Sequence, residues 1–80
     1  MMRQALILAS GERNPEADTL LKLGLKPFVH KIIDVQRIDL GHRTIVGILL
    51  ECDPAHFEAI ESDLVEHGQK HSLDVALELL

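Results

Sequence analysis

The chain has 80 residues, 46% of them hydrophobic, and a formal net charge of −5, which bounds it to one small domain with a single core. Its eight basic residues are scattered rather than clustered as nucleic-acid phosphates require, and its longest apolar run, IVGILL, falls far short of the roughly 18–20 residues that span a bilayer. One cysteine, Cys52, excludes an internal disulfide and fits a reducing compartment, so a cytoplasmic location is expected.

QALILA at 4–9 is a continuous apolar run bounded by SGERNP, the pattern of a buried first strand. Its apolar part is too short for the roughly 7–15 residues of a secretory signal. Asn14-Pro15 then reads as an N-cap followed by proline at the first helical position. Glu16 and Asp18 put negative charge in the first turn, where the helix dipole favours it. Ala17, Leu20, Leu21 and Leu23 supply the apolar face, and Gly24 is the expected C-cap. Pro27 disfavours helix at Lys26, so the helix is short or broken near 24–27.

KIIDVQRIDL at 31–40 reads as a strand whose apolar phase slips. Ile33 and Val35 share one parity while Ile38 and Leu40 take the other, and a bulge near Gln36-Arg37 would reconcile them. Gly41-His42 makes a tight turn, and TIVGILLEC at 44–52 returns antiparallel. Gly47 interrupts this most apolar stretch, where a glycine weakens a strand; a helix packed over it or a bulge would account for it. Asp53-Pro54 repeats the N-cap and proline signal. Phe57, Ile60 and Leu64 form a helical stripe opposed by Glu58, Glu61 and Asp63, and Gly68 is expected to end that helix. LDVALEL at 73–79 alternates, with Leu73, Val75, Leu77 and Leu79 inward and Asp74 and Glu78 outward.

The order is β-α-β-β-α-β, and its halves echo each other. Pro15 and Pro54 differ by 39 positions (54 − 15), and IDV at 33–35 and LDV at 73–75 by 40 (73 − 33). Two interleaved βαβ units predict an α+β, ferredoxin-like sandwich over residues 1–80: a four-stranded antiparallel sheet with both helices on one face.

That fold hosts many chemistries, so each must be sought in the residues. The first loop, SGERNPEADT, has neither the cysteine nor the histidine that a soft-metal carrier needs there. The central strands hold Leu, Ile and Val where an RNA-binding sheet would display aromatics. Arg13 lies near the first helix, but Gly11 is the only glycine in the loop, so no phosphate cradle surrounds it. His67 and His71 have the i, i+4 spacing of a helical metal pair, yet Gly68 lies between them and no third ligand is set by spacing. The carboxylates of Glu58, Glu61, Asp63 and Glu66 form a solvated helix face, and Cys52, with no base in view, reads as a buried structural thiol. No catalytic constellation, metal site or cofactor motif results.

DVQRIDLGHRTIVGILLECD (34–53), a following helix and HSLDVALELL (71–80) resemble an ACT domain, and more narrowly the N-terminal ACT region of phosphoserine phosphatases. The resemblance runs along most of the chain, and the spacing from Pro15 to Asp34 fits it without a gap. It implies a non-catalytic regulatory domain that pairs as a homodimer and serves a C-terminal hydrolase domain bearing an Asp-x-Asp-x-Thr motif. This chain has no such motif, and its apolar ending LELL suggests a piece cut from a longer protein. The family's effector site, which would take serine or a related amino acid, maps to Glu12, Arg13, Asn14 and Pro15, with a polar partner at Lys31. Arg13 and Lys31 would together hold the ligand carboxylate. Glu16 stands where the family has a glycine that lets the ligand approach the backbone, which predicts a weak or absent response to serine. The alternative is a free-standing interaction module without a ligand.

Overall fold

The computed structural model describes all of residues 1–80. Strands β1 (Arg3–Glu12), β2 (His30–Leu40), β3 (Arg43–Cys52) and β4 (Leu73–Leu79) form one antiparallel sheet in the order β2-β3-β1-β4. Helices α1 (Ala17–Leu25) and α2 (Phe57–Gln69) follow β1 and β3, and a short 3₁₀ turn at Pro54–His56 leads into α2. This is the expected ferredoxin-like arrangement.

Strand alternation sorts the side chains into two faces. Ala5, Ile7 and Ala9 of β1, with Val46, Ile48, Leu50 and Cys52 of β3, are buried on the helix side. Ala17, Leu21 and Leu25 of α1 and Ile60 and Leu64 of α2 close over them, with Leu73 of β4 completing the core. The spacing 17-21-25 is one stripe at four-residue intervals, which leaves Leu23 on another side, 53% exposed. Burial of each Leu or Ile in this layer stabilises the fold by roughly 1.5–3 kcal/mol. No helix is long and apolar enough to cross a membrane.

Several local features differ from the sequence expectation. The strand expected at 4–9 extends from Arg3 to Glu12, because Ser10, Gly11 and Glu12 pair with Ile45, Thr44 and Arg43 of β3. Pro15 does not open a helix. The Asn14 side chain accepts the Glu16 N–H at 2.9 Å in an Asx turn, and α1 begins at Ala17. Gly24 and Gly68 lie inside their helices rather than capping them, because they are points of close approach. A Cβ on Gly24 would sit 2.6 Å from Leu64 Cδ2, and one on Gly68 would sit 2.9 Å from the Leu73 carbonyl oxygen. At Gly11 it would collide with the Ser72 carbonyl oxygen. The β2–β3 turn forms as expected, with Gly41 at φ +58°.

The bulge in β2 lies at Ile33, not Gln36-Arg37: Ile32 pairs with Leu50 and Asp34 with the adjacent Leu49. Ile32 and Val35 therefore share the inner face, and the ladder is regular from Asp34 to Leu40. This register turns Ile38 and Leu40 to the open side, 53% and 59% exposed, and carries Arg37 and Asp39 under the β1–α1 loop. Gly47 has neither a bulge nor a helix over it, since it lies on the sheet face opposite the helices. A Cβ there would meet only Leu8 Cδ2, at an ordinary 3.7 Å.

Candidate functional site

The β1–α1 loop, residues 13–16, runs across one end of the sheet and is tied down at every peptide. The Arg13 N–H donates to the His42 carbonyl at 2.7 Å, fastening the loop to the β2–β3 turn. The Asn14 N–H donates to Thr44 Oγ1 at 3.2 Å. Pro15 has no N–H, Glu16 donates to the Asn14 side chain, and Ala17 donates to the Asn14 carbonyl. From Arg13 to Ala17, every backbone N–H has a partner within the chain.

The carbonyls of Asn14, Pro15 and Glu16 are occupied as well. Arg37 Nη2 donates to the Asn14 carbonyl at 2.6 Å, and Nη1 donates to that of Pro15 at 3.1 Å. The guanidinium also meets Asp39 at 3.2 Å and Asp18 at 3.6 Å, so one cation joins β2, the loop and the first turn of α1. Thr44, fully buried, donates its hydroxyl to Asp39 Oδ1 at 2.8 Å while accepting from Asn14. These bonds have a titration signature: the Thr44 hydroxyl first, then Arg37, hold the Asp39 carboxyl below the usual carboxylate range, with the Arg13 charge adding to the effect.

The residues expected at an effector site are only partly together. Glu12, Arg13, Asn14 and Glu16 share this end of the sheet, with Glu12, Arg13 and Glu16 exposed and Asn14 half-buried. Arg13 projects to solvent and comes no nearer than 3.9 Å to Asp39. Lys31 is elsewhere. It pairs with Glu51, whereas Glu12 pairs with Arg43, eight residues away along β3 (51 − 43). At about 3.3 Å per residue the separation is roughly 26 Å, so Arg13 and Lys31 of one chain cannot hold one carboxylate. The reason is topological: the loop lies over the end of β2, whereas Lys31 stands at its start. Arg37, Asp39 and Thr44 take the place at the loop. Their only sequence signal is shared parity across the turn, which becomes useful once the bulge is located.

His67 and His71 stand edge to face with ring centres 5.0 Å apart, and no three of the His, Cys, Asp and Glu side chains converge as a metal set. Burial, then the charge of Asp53, pushes the Cys52 thiol up, away from reactive thiolate.

Among solved structures, a candidate glycine cleavage system transcriptional repressor aligns with 100% of the chain at a TM-score of 0.88 and 20% identity. An ACT domain protein from Streptococcus pneumoniae aligns with 96% of the chain at a TM-score of 0.84 and 13% identity, and the chain covers 89% of it. A formyltetrahydrofolate deformylase from Pseudomonas putida KT2440 aligns with 94% at a TM-score of 0.81 and 12% identity. The chain spans 47% of the repressor and 28% of the deformylase. At these identities the likeness is one of fold. No curated protein matches the sequence. A family model for the ACT domain matches residues 3–78, and the chain belongs to that family.

Proposed function

We propose that this ACT-family chain is a non-catalytic regulatory domain that acts by association, and that the enzyme it serves is a phosphoserine phosphatase. The regulatory reading follows from the family match over residues 3–78, and the closed β1–α1 loop is what favours association over effector binding. A ligand carboxylate is usually held by free backbone N–H groups or a fixed cation. Here every N–H from Arg13 to Ala17 is already used, and the buried side of the loop is filled by Arg37. A serine effector would be left with the exposed Glu12, Arg13 and Glu16 side chains and the edge of Asn14. Lys31 could join them only from a second copy.

The phosphatase assignment is supported by the resemblance of residues 34–53 and 71–80 to that family's N-terminal region. A hydrolase domain with its Asp-x-Asp-x-Thr motif, encoded in frame after Leu80, is the expected finding. A stop codon there in the native gene would favour a free-standing pairing module instead.

For the effector, an NMR titration with the twenty amino acids reads the amides of Arg13, Asn14, Glu16 and Ala17 directly. Weak, non-saturating shifts with serine are expected. Saturable shifts confined to these amides would show that the loop opens for a ligand and would overturn its closed assignment.

A further inference from the structure

The sheet face turned away from the helices is unevenly charged. Its β1 and β4 half carries Glu12, Asp74 and Glu78, all exposed, and no cation. The closest cation of the face is Arg43 on β3, opposite Glu12. None of the three carboxylates belongs to an ion pair. This half of the face is therefore a surface of unneutralised negative charge, which attracts a cation.

A hollow of about 400 Å³ lies within it. The register explains its shape. Ile45, Ser10 and Asp74 form one row across β3, β1 and β4, and Gly47, Leu8 and Ala76 form the next. The small residues Ser10 and Ala76 leave a floor, and Leu8, Ile45 and Asp74 stand around it as walls. Ser10 and Asp74 are directly opposite each other, with Cβ atoms about 4.5–5.5 Å apart. Neither side chain makes a hydrogen bond within the chain. A mostly apolar hollow of this volume, with a few convergent polar groups, has the composition of a small-molecule site. The groove of about 260 Å³ between α1 and α2 does not: Leu23 is its one hydrophobic side chain, and its Glu66 is already paired with Lys70.

From these features we infer that the hollow between β1 and β4 binds a small organic ammonium, an amine with an apolar body about one ring in size and no carboxylate of its own. The ammonium donates to the Asp74 carboxylate and to the Ser10 hydroxyl oxygen, a charge-assisted pair of bonds at one end of the hollow. The apolar body lies over Ala76, between Leu8 and Ile45. Glu12 follows Ser10 by two residues on β1, and Glu78 follows Ala76 by two on β4, so both flank the site on the same face. They add to the attraction for a cation and repel a ligand carboxylate, so the site selects an amine over the amino acid with the same side chain. The inference goes beyond the association reading and concerns a different surface from the closed loop.

NMR titration of the whole chain with 2-phenylethylamine tests this at the amides of Leu8, Ser10, Ile45, Asp74 and Ala76. Their shifts should saturate with a Kd below roughly 10 mM, the affinity a ligand of this size reaches at ordinary efficiency. 2-Phenylethanol has the same body without the charge, and phenylalanine has it with an added carboxylate; each should bind at least tenfold more weakly. Asp74→Asn should weaken the amine at least tenfold and leave the alcohol unchanged. Ala76→Leu, at an exposed strand position, should fill the floor and weaken both; it carries the test if Asp74→Asn does not fold. Equal binding of amine and alcohol, or an amine indifferent to D74N and A76L, would overturn the site. Shifts confined to the Arg13–Ala17 amides would also overturn it and would leave the regulatory reading standing.

Discussion

Replacing Arg37 by methionine keeps the length of the side chain and removes the guanidinium from the β1–α1 loop. Two donations to backbone carbonyls are lost, to Asn14 at 2.6 Å and to Pro15 at 3.1 Å. The side chain is 25% exposed, so water replaces part of what is removed. Each bond is then worth about 1 kcal/mol rather than the larger values of buried charged bonds. The flanking carboxylates are solvated enough that their pairing adds direction more than energy. The loop should therefore lose about 2 kcal/mol of its resistance to opening, an increase of roughly 30-fold in the open population. Amide hydrogen exchange measures this directly at Arg13, Asn14, Glu16 and Ala17. The same loss should lower the melting temperature by roughly 8–16 °C for a domain of this size. Arg37→Lys should recover only part of the protection, because an ammonium cannot reach two carbonyls with a planar fork. If the melting temperature of R37M falls while the four loop amides keep their protection, Arg37 stabilises the sheet by some other route and the loop is not held by it.

Acid should weaken this same network. The folded Asp39 carboxyl titrates below its unfolded value, so its contribution to stability is fully present above about pH 4 and is lost as the pH falls through the folded pKa. Asp39→Asn should flatten that part of the stability–pH curve, and an unchanged acid limb in urea titrations would refute the assignment. Among the glycines, Gly11→Ala drives a methyl into the Ser72 carbonyl, which belongs to the backbone, whereas Gly24→Ala meets the mobile end of Leu64. Overpacking costs about 1–3 kcal/mol, and G11A should fall at or above the top of that range with G24A near the bottom, read from urea midpoints. The opposite order would mean that β4 can shift away from β1 more easily than α2 can from α1.

Each element was legible in the sequence because its signal is local. Alternation in LDVALEL, the apolar run QALILA and the Asp53-Pro54 step are properties of adjacent residues, and two such β-α-β patterns leave few ways to bury their faces. Elements therefore came out in the right order, and the sandwich followed from the order. Features that depend on two elements meeting were not legible. Gly24 and Gly68 have the composition of helix caps, and only the packing of α2 on α1 and of β4 on α2 shows that they lie inside helices as contact points. Likewise, the slipped phase of β2 showed that a bulge was needed, but residues of both parities are apolar there. The choice of Ile33 was made by pairing with β3.

That one register choice also decides the candidate site. Placing the bulge at Ile33 brings Arg37 opposite Val46 and Asp39 opposite Thr44, on the inner side beneath the loop. It also leaves Lys31 at the far end of the sheet, beside Glu51. In one dimension Lys31 and Arg37 are six positions apart on one strand (37 − 31), both cations, with nothing local to prefer either. The sequence by itself determined the fold family and the absence of a catalytic motif, because both rest on residue type and spacing. Which cation meets the loop, and which glycine lies open on the sheet, were decided by tertiary pairing, because a shift of one residue in a strand moves every side chain beyond it to the opposite face.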